Sequence, residues 1–137
     1  TDITGSSVTI TPKFSNSKIL VETFINVYLG NNVSSTSWNS CTMRLLRGST
    51  VITAPDVAGT NDYFVATYGG DNSREMAYGM LSQIDTPNTT SATTYKLQAH
   101  CPYSSSYIIG INTSVVQDNY TYMTNCVSTI TAYEVAA

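Results

Sequence analysis

The residue types that most often catalyse reactions are few in this chain and far apart. His100 is the only histidine, and it stands directly before Cys101. Neighbouring side chains of a β-strand point to opposite faces, so adjacent strand positions cannot supply a cysteine–histidine nucleophilic pair. We therefore expect His100 to be a surface residue. The sequence also lacks GxSxG, HExxH and phosphate-loop motifs, which argues further against an enzyme.

The nine acidic residues are dispersed, and only two pairs of them are spaced for joint chemistry. Asp56 with Asp62, or Asp71 with Glu75, would form a glycosidase pair if their loops brought the carboxyl groups to about 5–9 Å. The solubility of acidic loops explains them equally well. The run "DNSRE" lacks the alternating oxygen ligands of an EF-hand loop, so we predict neither a metal site nor a cofactor.

The three cysteines are Cys41, Cys101 and Cys126. An odd number without Cys-x-x-Cys spacing is typical of neither a disulfide framework nor a zinc site. The simplest interpretation is that they are small buried hydrophobes in a protein that folds in a reducing cytoplasm. A single Cys101–Cys126 disulfide is the alternative.

Aromatic residues in predicted loops are the best candidates for ligand contact. They lie among Ser, Asn and Gly, and rigid amphipathic rings among small polar residues are typical of recognition surfaces. The candidates are Trp38, Tyr63, Tyr68, Tyr103, Tyr120 and Tyr122. The alternative is that tyrosines at strand ends cap the core of a β-sandwich.

Composition narrows the class of protein. The 137 residues suffice for one domain with its own core, and we predict a single domain over residues 1–137. Only 11% of the residues are charged, and the net charge is −3. The six lysines and arginines are scattered, which leaves no basic patch for nucleic acid. No apolar run approaches the ~20 residues of a membrane-spanning helix, so we expect no membrane insertion.

Apolar and polar residues alternate through most of the chain, as they do in β-strands. Strands are predicted within "SVTITP", "ILVETFINVY", "CTMRLLRGSTVI", "YFVAT", "EMAYGMLSQID", "TTYKLQAHC", "YIIGINTSVV" and "CVSTITAYEV". In "TTYKLQAHC" the pattern places Tyr95, Leu97 and Ala99 inside, and in "EMAYGMLSQID" the methionines and the leucine suggest core contact. Roughly eight to ten short strands, separated by Gly, Pro and Asn, are typical of an all-β antiparallel β-sandwich or jelly roll.

Two segments, 19–28 and 126–135, are apolar on both faces, although an antiparallel sandwich strand normally exposes one face to water. The simplest cover for the second face is another copy of the chain, so we predict a homotrimer whose inner sheets meet about an axis. Burying three or four such side chains would contribute roughly 5–10 kcal/mol per protomer. The predicted interface residues are Leu20, Phe24, Tyr28, Ile130 and Ala132. The alternative is a face covered by the domain's own loops.

Four blocks of sequence, in order, carry a resemblance to a known family. They are "SVTITPKFSNSKILV", "MRLLRGSTVI", "TPNTTSATTYKLQ" and "STITAYEVA". Together they resemble a C-terminal domain of phage tail-fibre-like and other virion surface proteins, especially in phages of cyanobacteria and other aquatic bacteria. In that family the segment before "VTITP" usually continues upstream. The resemblance therefore implies the C-terminal part of a longer chain or a short virion protein. The topology is also similar to the trimeric complement-C1q and tumour-necrosis-factor jelly rolls, an analogy of fold alone.

The resemblance implies a protein that is made in the host cytoplasm and carried on the virion surface beside other virion proteins. We expect a tail-fibre tip that binds a host-surface receptor, in the first instance a glycan, through the loop aromatics. Weak binding by each copy would be offset by multivalency on the particle. One alternative is a capsid-decoration (cement) protein that stabilises the phage head. Another is a secreted carbohydrate-binding or C1q-like module.

Overall fold

The computed structural model describes residues 1–30, 39–52, 65–69, 76–100, 108–112 and 125–135. These residues form nine strands: β1 (Asp2–Ile10), β2 (Lys18–Gly30), β3 (Asn39–Arg47), β4 (Thr50–Val51), β5 (Val65–Gly69), β6 (Met76–Asp85), β7 (Thr93–His100), β8 (Ile108–Ile111) and β9 (Thr129–Val135). Every pairing between them is antiparallel. In this described part of the chain there is no helix that is long and apolar enough to cross a membrane.

The strands form two sheets that pack against each other. The first sheet has the order β1-β7-β3, and both β4 and β5 pair with the remaining edge of β3. The second sheet has β6 on one edge of β2, while β8 and β9 follow one another along its other edge. The predicted all-β antiparallel β-sandwich is confirmed.

The core lies between the sheets, where alternate residues of β2, β3 and β7 face each other. The fully buried members are Ile19, Val21, Ile25, Val27, Cys41, Met43, Leu45, Tyr95 and Leu97. β-branched residues line the inner face of β2 because they pack well on a pleated surface. The inward orientation predicted for Tyr95, Leu97 and Ala99 is confirmed, since Ala99 also packs against this cluster.

One tight turn agrees with the sequence. Gly48 and Ser49 join β3 to β4, and Gly48 has a φ of 58°, a left-handed conformation that costs glycine little. A β-carbon added at Gly48 would meet nothing within 4 Å, so only backbone strain would oppose a larger residue there. The hairpin predicted around "RGS" is confirmed.

The two ends of the sandwich differ in what they carry. At one end, which we call the loop end, β2, β5 and β7 stop and β3, β6 and β8 start. The strand ends that flank residues 31–38, 70–75 and 101–107 are therefore gathered there. At the opposite end, which we call the latch end, β3 finishes beside β4 and β6 finishes before β7.

Candidate functional site

In the described part of the chain, the outer face of β6, β2 and β9 exposes several large apolar side chains, and we call it the apolar face. Strand pairing puts even-numbered residues of β2 beside even-numbered residues of β6 and odd-numbered residues of β9. The side chains on this face therefore form rows that cross the three strands. Two apolar rows flank one polar row.

The first apolar row lies toward the loop end. Phe24 is opposite Met80, and its ring stacks on Tyr78 with 6.0 Å between centroids and 27° between planes. Phe24 is partly buried by its neighbours, whereas Tyr78 is 69% exposed and Met80 is 68% exposed. Large side chains this open to water are typical of a surface that meets a partner.

The second apolar row lies toward the latch end. Leu20 is flanked by Ile84 on β6 and Tyr133 on β9, and Val135 follows beside Lys18. Ile84, Tyr133 and Val135 are all exposed. The face therefore stays apolar on both sides of its centre.

The polar row runs between the two apolar rows. Glu22 is at its centre, with Ser82 on β6 and Thr131 on β9 directly opposite. A depression of about 390 Å³ opens here, and Phe24 and Tyr133 contribute to its walls. The depression thus combines one carboxylate with several hydroxyl groups and two aromatic side chains.

The outer face of the first sheet is polar and internally hydrogen-bonded. Lys96 lies 2.8 Å from Asp2, Gln98 donates to Asp2 at 2.6 Å, and Arg44 donates to Gln98 at 2.8 Å. The hydrogen bond from Lys96, followed by that from Gln98, lowers the pKa of Asp2 below its usual value. The two outer faces therefore differ. Polar side chains described on the first sheet hydrogen-bond to one another, whereas the second sheet exposes large apolar side chains to water.

Three residues join the two sheets at the latch end, and we call them the latch. Both carboxylate oxygens of Asp85 on β6 lie 2.9 Å from Nη1 of Arg47 on β3. The hydroxyl of Tyr95 on β7 donates to the same carboxylate at 2.7 Å. Burial, and then this carboxylate, raises the pKa of Tyr95. The latch is a structural cluster: Arg47 and Tyr95 both donate to Asp85, and Arg47 also donates to the carbonyl of Thr86 at 3.3 Å.

A second polar cluster lies where β8 ends beside β2. The amide of Asn112 donates to the carbonyl of Asn26 at 3.1 Å, and the amide of Asn26 donates to Oγ of Ser128 at 2.9 Å. That hydroxyl in turn donates to Oδ1 of Asn112. We call these three residues the clamp. The clamp holds residues on either side of 113–124 against the middle strand of the second sheet.

The aromatic residues predicted to contact a ligand are largely untested. Trp38, Tyr63, Tyr103, Tyr120 and Tyr122 lie outside the described residues. Tyr68 lies in β5, where its backbone pairs with Ser40, and its side chain is also outside the description. The role of all six in binding stays a prediction.

The predicted interface set does not occupy one surface. Leu20 and Phe24 lie on the apolar face. Tyr28, on the same side of β2, is 1% exposed, and its hydroxyl has no hydrogen-bond partner among the described residues. Ile130 and Ala132 pair with Thr23 and Val21 and pack against the core instead. Including them beside Leu20 and Phe24 was wrong, because the register of β9 turns this alternate set inward.

The sequence interpretation missed the contribution of β6 to the apolar face. Met80 was expected to contact the core, and this was wrong for Met80, whereas Leu81 does pack against the core. Tyr78, Met80 and Ile84 alternate with Ala77, Gly79 and Leu81. That alternation was the available signal that the larger set lies on one face.

The residues considered for catalysis are not brought together among the described positions. His100 is exposed on the outer face of the first sheet, as predicted, and Asp56, Asp62, Asp71 and Glu75 lie outside the described residues. Within the described ranges, no group of three or more His, Cys, Asp or Glu side chains is close enough to hold a metal ion.

Two of the three cysteines lie within the described residues. Cys41 is buried in the core, as the sequence predicts. The amide of Cys126 donates to the carbonyl of Asn112 at 2.9 Å, and its side chain is partly buried. Cys101 lies outside the described residues, so the Cys101–Cys126 pairing stays a prediction.

No protein-family model matches the chain, and a search of curated proteins finds no match.

Proposed function

We propose that this chain is a surface module of a phage virion that assembles as a homotrimer through the apolar face. The single observation that carries the assembly is the pair of apolar rows on an outer sheet face. The virion assignment rests on the resemblance of the four sequence blocks.

The area of the apolar face suits an interface. Aromatic side chains bury about 150–250 Å² each when fully covered. With the exposed fractions of Tyr78, Met80, Ile84, Tyr133 and Val135, the open apolar surface amounts to several hundred Å². A standard protein interface buries about 800 Å² per partner, so these rows would supply the apolar centre of one.

Another copy of the chain is the partner best suited to this face. Interface centres are depleted in charge and enriched in aromatic residues and methionine, and the described apolar face has one carboxylate at its centre. The described outer face of the first sheet has no comparable apolar surface, and several of its polar side chains hydrogen-bond to one another. If three copies turn their apolar faces toward a common axis, the apolar face of each copy is covered by the other two.

Receptor binding in this proposal takes place at the loop end. Strand ends flanking 31–38 and 101–107 are gathered there, and these segments contain Trp38 and Tyr103. A trimer with its axis along the strands would present three copies of this end to a host surface. Multivalency would then strengthen weak contacts with a glycan.

Sedimentation velocity on the chain at micromolar concentration tests the assembly. We expect a species of three times the 14.8 kDa chain mass. A monomer over the whole accessible concentration range would refute the homotrimer. Adsorption of the purified chain to host cells tests the receptor role, with Trp38→Ala and Tyr63→Ala expected to reduce it.

A capsid-decoration protein is the second candidate, because the apolar face is also broad enough for the footprint of a cement protein on a phage head. Binding of the chain to purified heads, lost on substitution in the apolar face, would favour that role. Unimpaired adsorption by the Trp38→Ala variant would point in the same direction.

A further inference from the structure

Glu22 is the charged residue that any partner on the apolar face must cover. It lies in the middle strand, between Leu20 and Phe24 along β2 and between Ser82 and Thr131 across the sheet. The two apolar rows lie on either side of it. A partner that covers both rows therefore also removes Glu22 from water.

Among the described residues, no lysine, arginine or histidine lies directly beside Glu22 on the apolar face. On the described apolar face the nearest positive charge is Lys18, four residues away along β2, or roughly 13 Å at the rise of a strand. The face of β6 carries Tyr78 and that of β9 carries Tyr133, both phenols.

The remaining acidic groups of the neighbouring strands point to the inner side. Asp85 of β6 is bound by Arg47 and Tyr95. Glu134 of β9 accepts hydrogen bonds from Ser17 and from the amide of Lys13. Neither group is available to share a proton or a cation with Glu22.

We infer that assembly through the apolar face brings the Glu22 carboxylates of different copies together without a compensating cation, so that acid favours the assembled state. The inference rests on the proposed homotrimer. A three-fold axis parallel to the strands relates the copies without shifting them along that axis. Glu22 of each copy therefore lies at the same height as Glu22 of the other copies, and Lys18 lies at the height of the other Lys18 residues.

The direction of the pH effect follows from charge. An ionised carboxylate is disfavoured both by removal from water and by like charges nearby, whereas the protonated form suffers neither penalty. Acid therefore strengthens assembly, and assembly weakens as the pH rises and Glu22 ionises. The chain would assemble most firmly in mildly acidic surroundings.

Sedimentation equilibrium of the full chain at about pH 5 and about pH 7.5 tests this inference. We expect half-assembly at about tenfold lower concentration at the acid pH than at the higher pH. Glu22→Gln should assemble at the higher pH as readily as the wild type does at the lower pH.

Asp2→Asn is the matched control, because it removes one negative charge from the outer face of the other sheet. It should keep the wild-type dependence on pH. Circular dichroism of each variant at both pH values would establish that the fold is retained.

Each other outcome has a distinct meaning. A folded wild-type chain that is monomeric at both pH values would overturn the proposed assembly and this inference with it. An oligomer that is equally stable at both pH values would leave the assembly standing and overturn the role of Glu22. Weaker assembly of Glu22→Gln at about pH 7.5 would also overturn it, because Glu22 would then be paired with a cation such as Lys18 of the partner across a two-fold axis.

Discussion

The hydroxyl of Tyr95 donates a hydrogen bond of 2.7 Å to the carboxylate of Asp85, and this bond joins the two sheets. Arg47 approaches the same carboxylate from the first sheet at 2.9 Å. The side chain of Asp85 is only 11% exposed, and its carboxylate interacts with both of these neighbours. One end of the sandwich is therefore closed by a polar cluster instead of by apolar packing.

Removing Asp85 should cost more stability than removing the Tyr95 hydroxyl. Asp85→Ala leaves a partly buried guanidinium and a buried phenol without their partner, and we expect a loss of about 3 kcal/mol. Tyr95→Phe leaves the Arg47–Asp85 pair intact, and we expect about 1 kcal/mol. Urea unfolding measures both.

Tyr133→Phe is the control for the latch, because that side chain is 50% exposed on the apolar face. It should change the free energy of unfolding by less than about 0.5 kcal/mol. Equal and small effects of Asp85→Ala and Tyr95→Phe would contradict a stabilising latch.

Glu134 should stabilise the fold in a pH-dependent way. The hydrogen bond from Ser17, supported by backbone donors of the 12–17 turn, lowers the pKa of Glu134 below its ordinary 4.5. A carboxyl group whose pKa is lower in the folded than in the unfolded state stabilises the fold fully at pH values above its unfolded pKa. This contribution is lost as the pH falls through the pKa of the folded state. The difference in urea midpoint between wild type and Glu134→Gln should therefore be largest near neutrality and narrow in acid.

Ser17→Ala provides the comparison for Glu134, since it removes the first hydrogen-bond donor to that carboxylate. It should reproduce part of the neutral-pH difference and add little in the Glu134→Gln background. A difference that stays constant from neutral pH into acid would mean that the charge of Glu134 contributes nothing.

The clamp should also be measurable by substitution. Ser128→Ala removes a hydroxyl that both accepts from Asn26 and donates to Asn112, and we expect a loss of about 1–2 kcal/mol. Asn112 has a φ of 64°, a conformation that asparagine tolerates better than most residues. Asn112→Ala should therefore destabilise more than Asn112→Gly, because alanine adds about 1–2 kcal/mol of backbone strain to the lost hydrogen bond. Equal effects of the two substitutions would contradict the contribution of strain.

The fold class could be predicted because the alternation of side chains is local information. Tyr95 and Leu97 alternate with polar residues, and one face of a strand with such a pattern must be buried. The same reasoning located Gly48 in a tight turn, since the residues that flank it read as strands. Register is not local: in β9 both alternate sets are apolar, and pairing of Thr23 with Ile130 decides which set faces inward.

The candidate surface was predicted only in its middle strand. Leu20 and Phe24 were found because β2 has more apolar residues than one buried face needs. Met80 was assigned to the core because hydrophobicity alone does not reveal that Gly79 and Leu81 occupy the inner side. The aromatic ligand candidates stay predictions.

Met80 allows the assembly to be tested without disturbing the fold. It is 68% exposed on the apolar face, so Met80→Lys should change the free energy of unfolding by no more than about 0.5 kcal/mol. In an assembled trimer, however, the added lysine would have to leave water inside an apolar interface. The two states therefore respond differently to one substitution.

We expect Met80→Lys to weaken assembly at least about tenfold, or 1.4 kcal/mol, in sedimentation experiments. Thr94→Lys is its counterpart, because Thr94 is exposed on the outer face of the first sheet, where its hydroxyl hydrogen-bonds to that of Thr9. Both substitutions add one positive charge, so a general effect of net charge would appear in both. Loss of assembly in Met80→Lys alone would support the apolar face as the contact between copies. Equal loss in the two variants, or none in either, would mean that copies of this chain meet elsewhere.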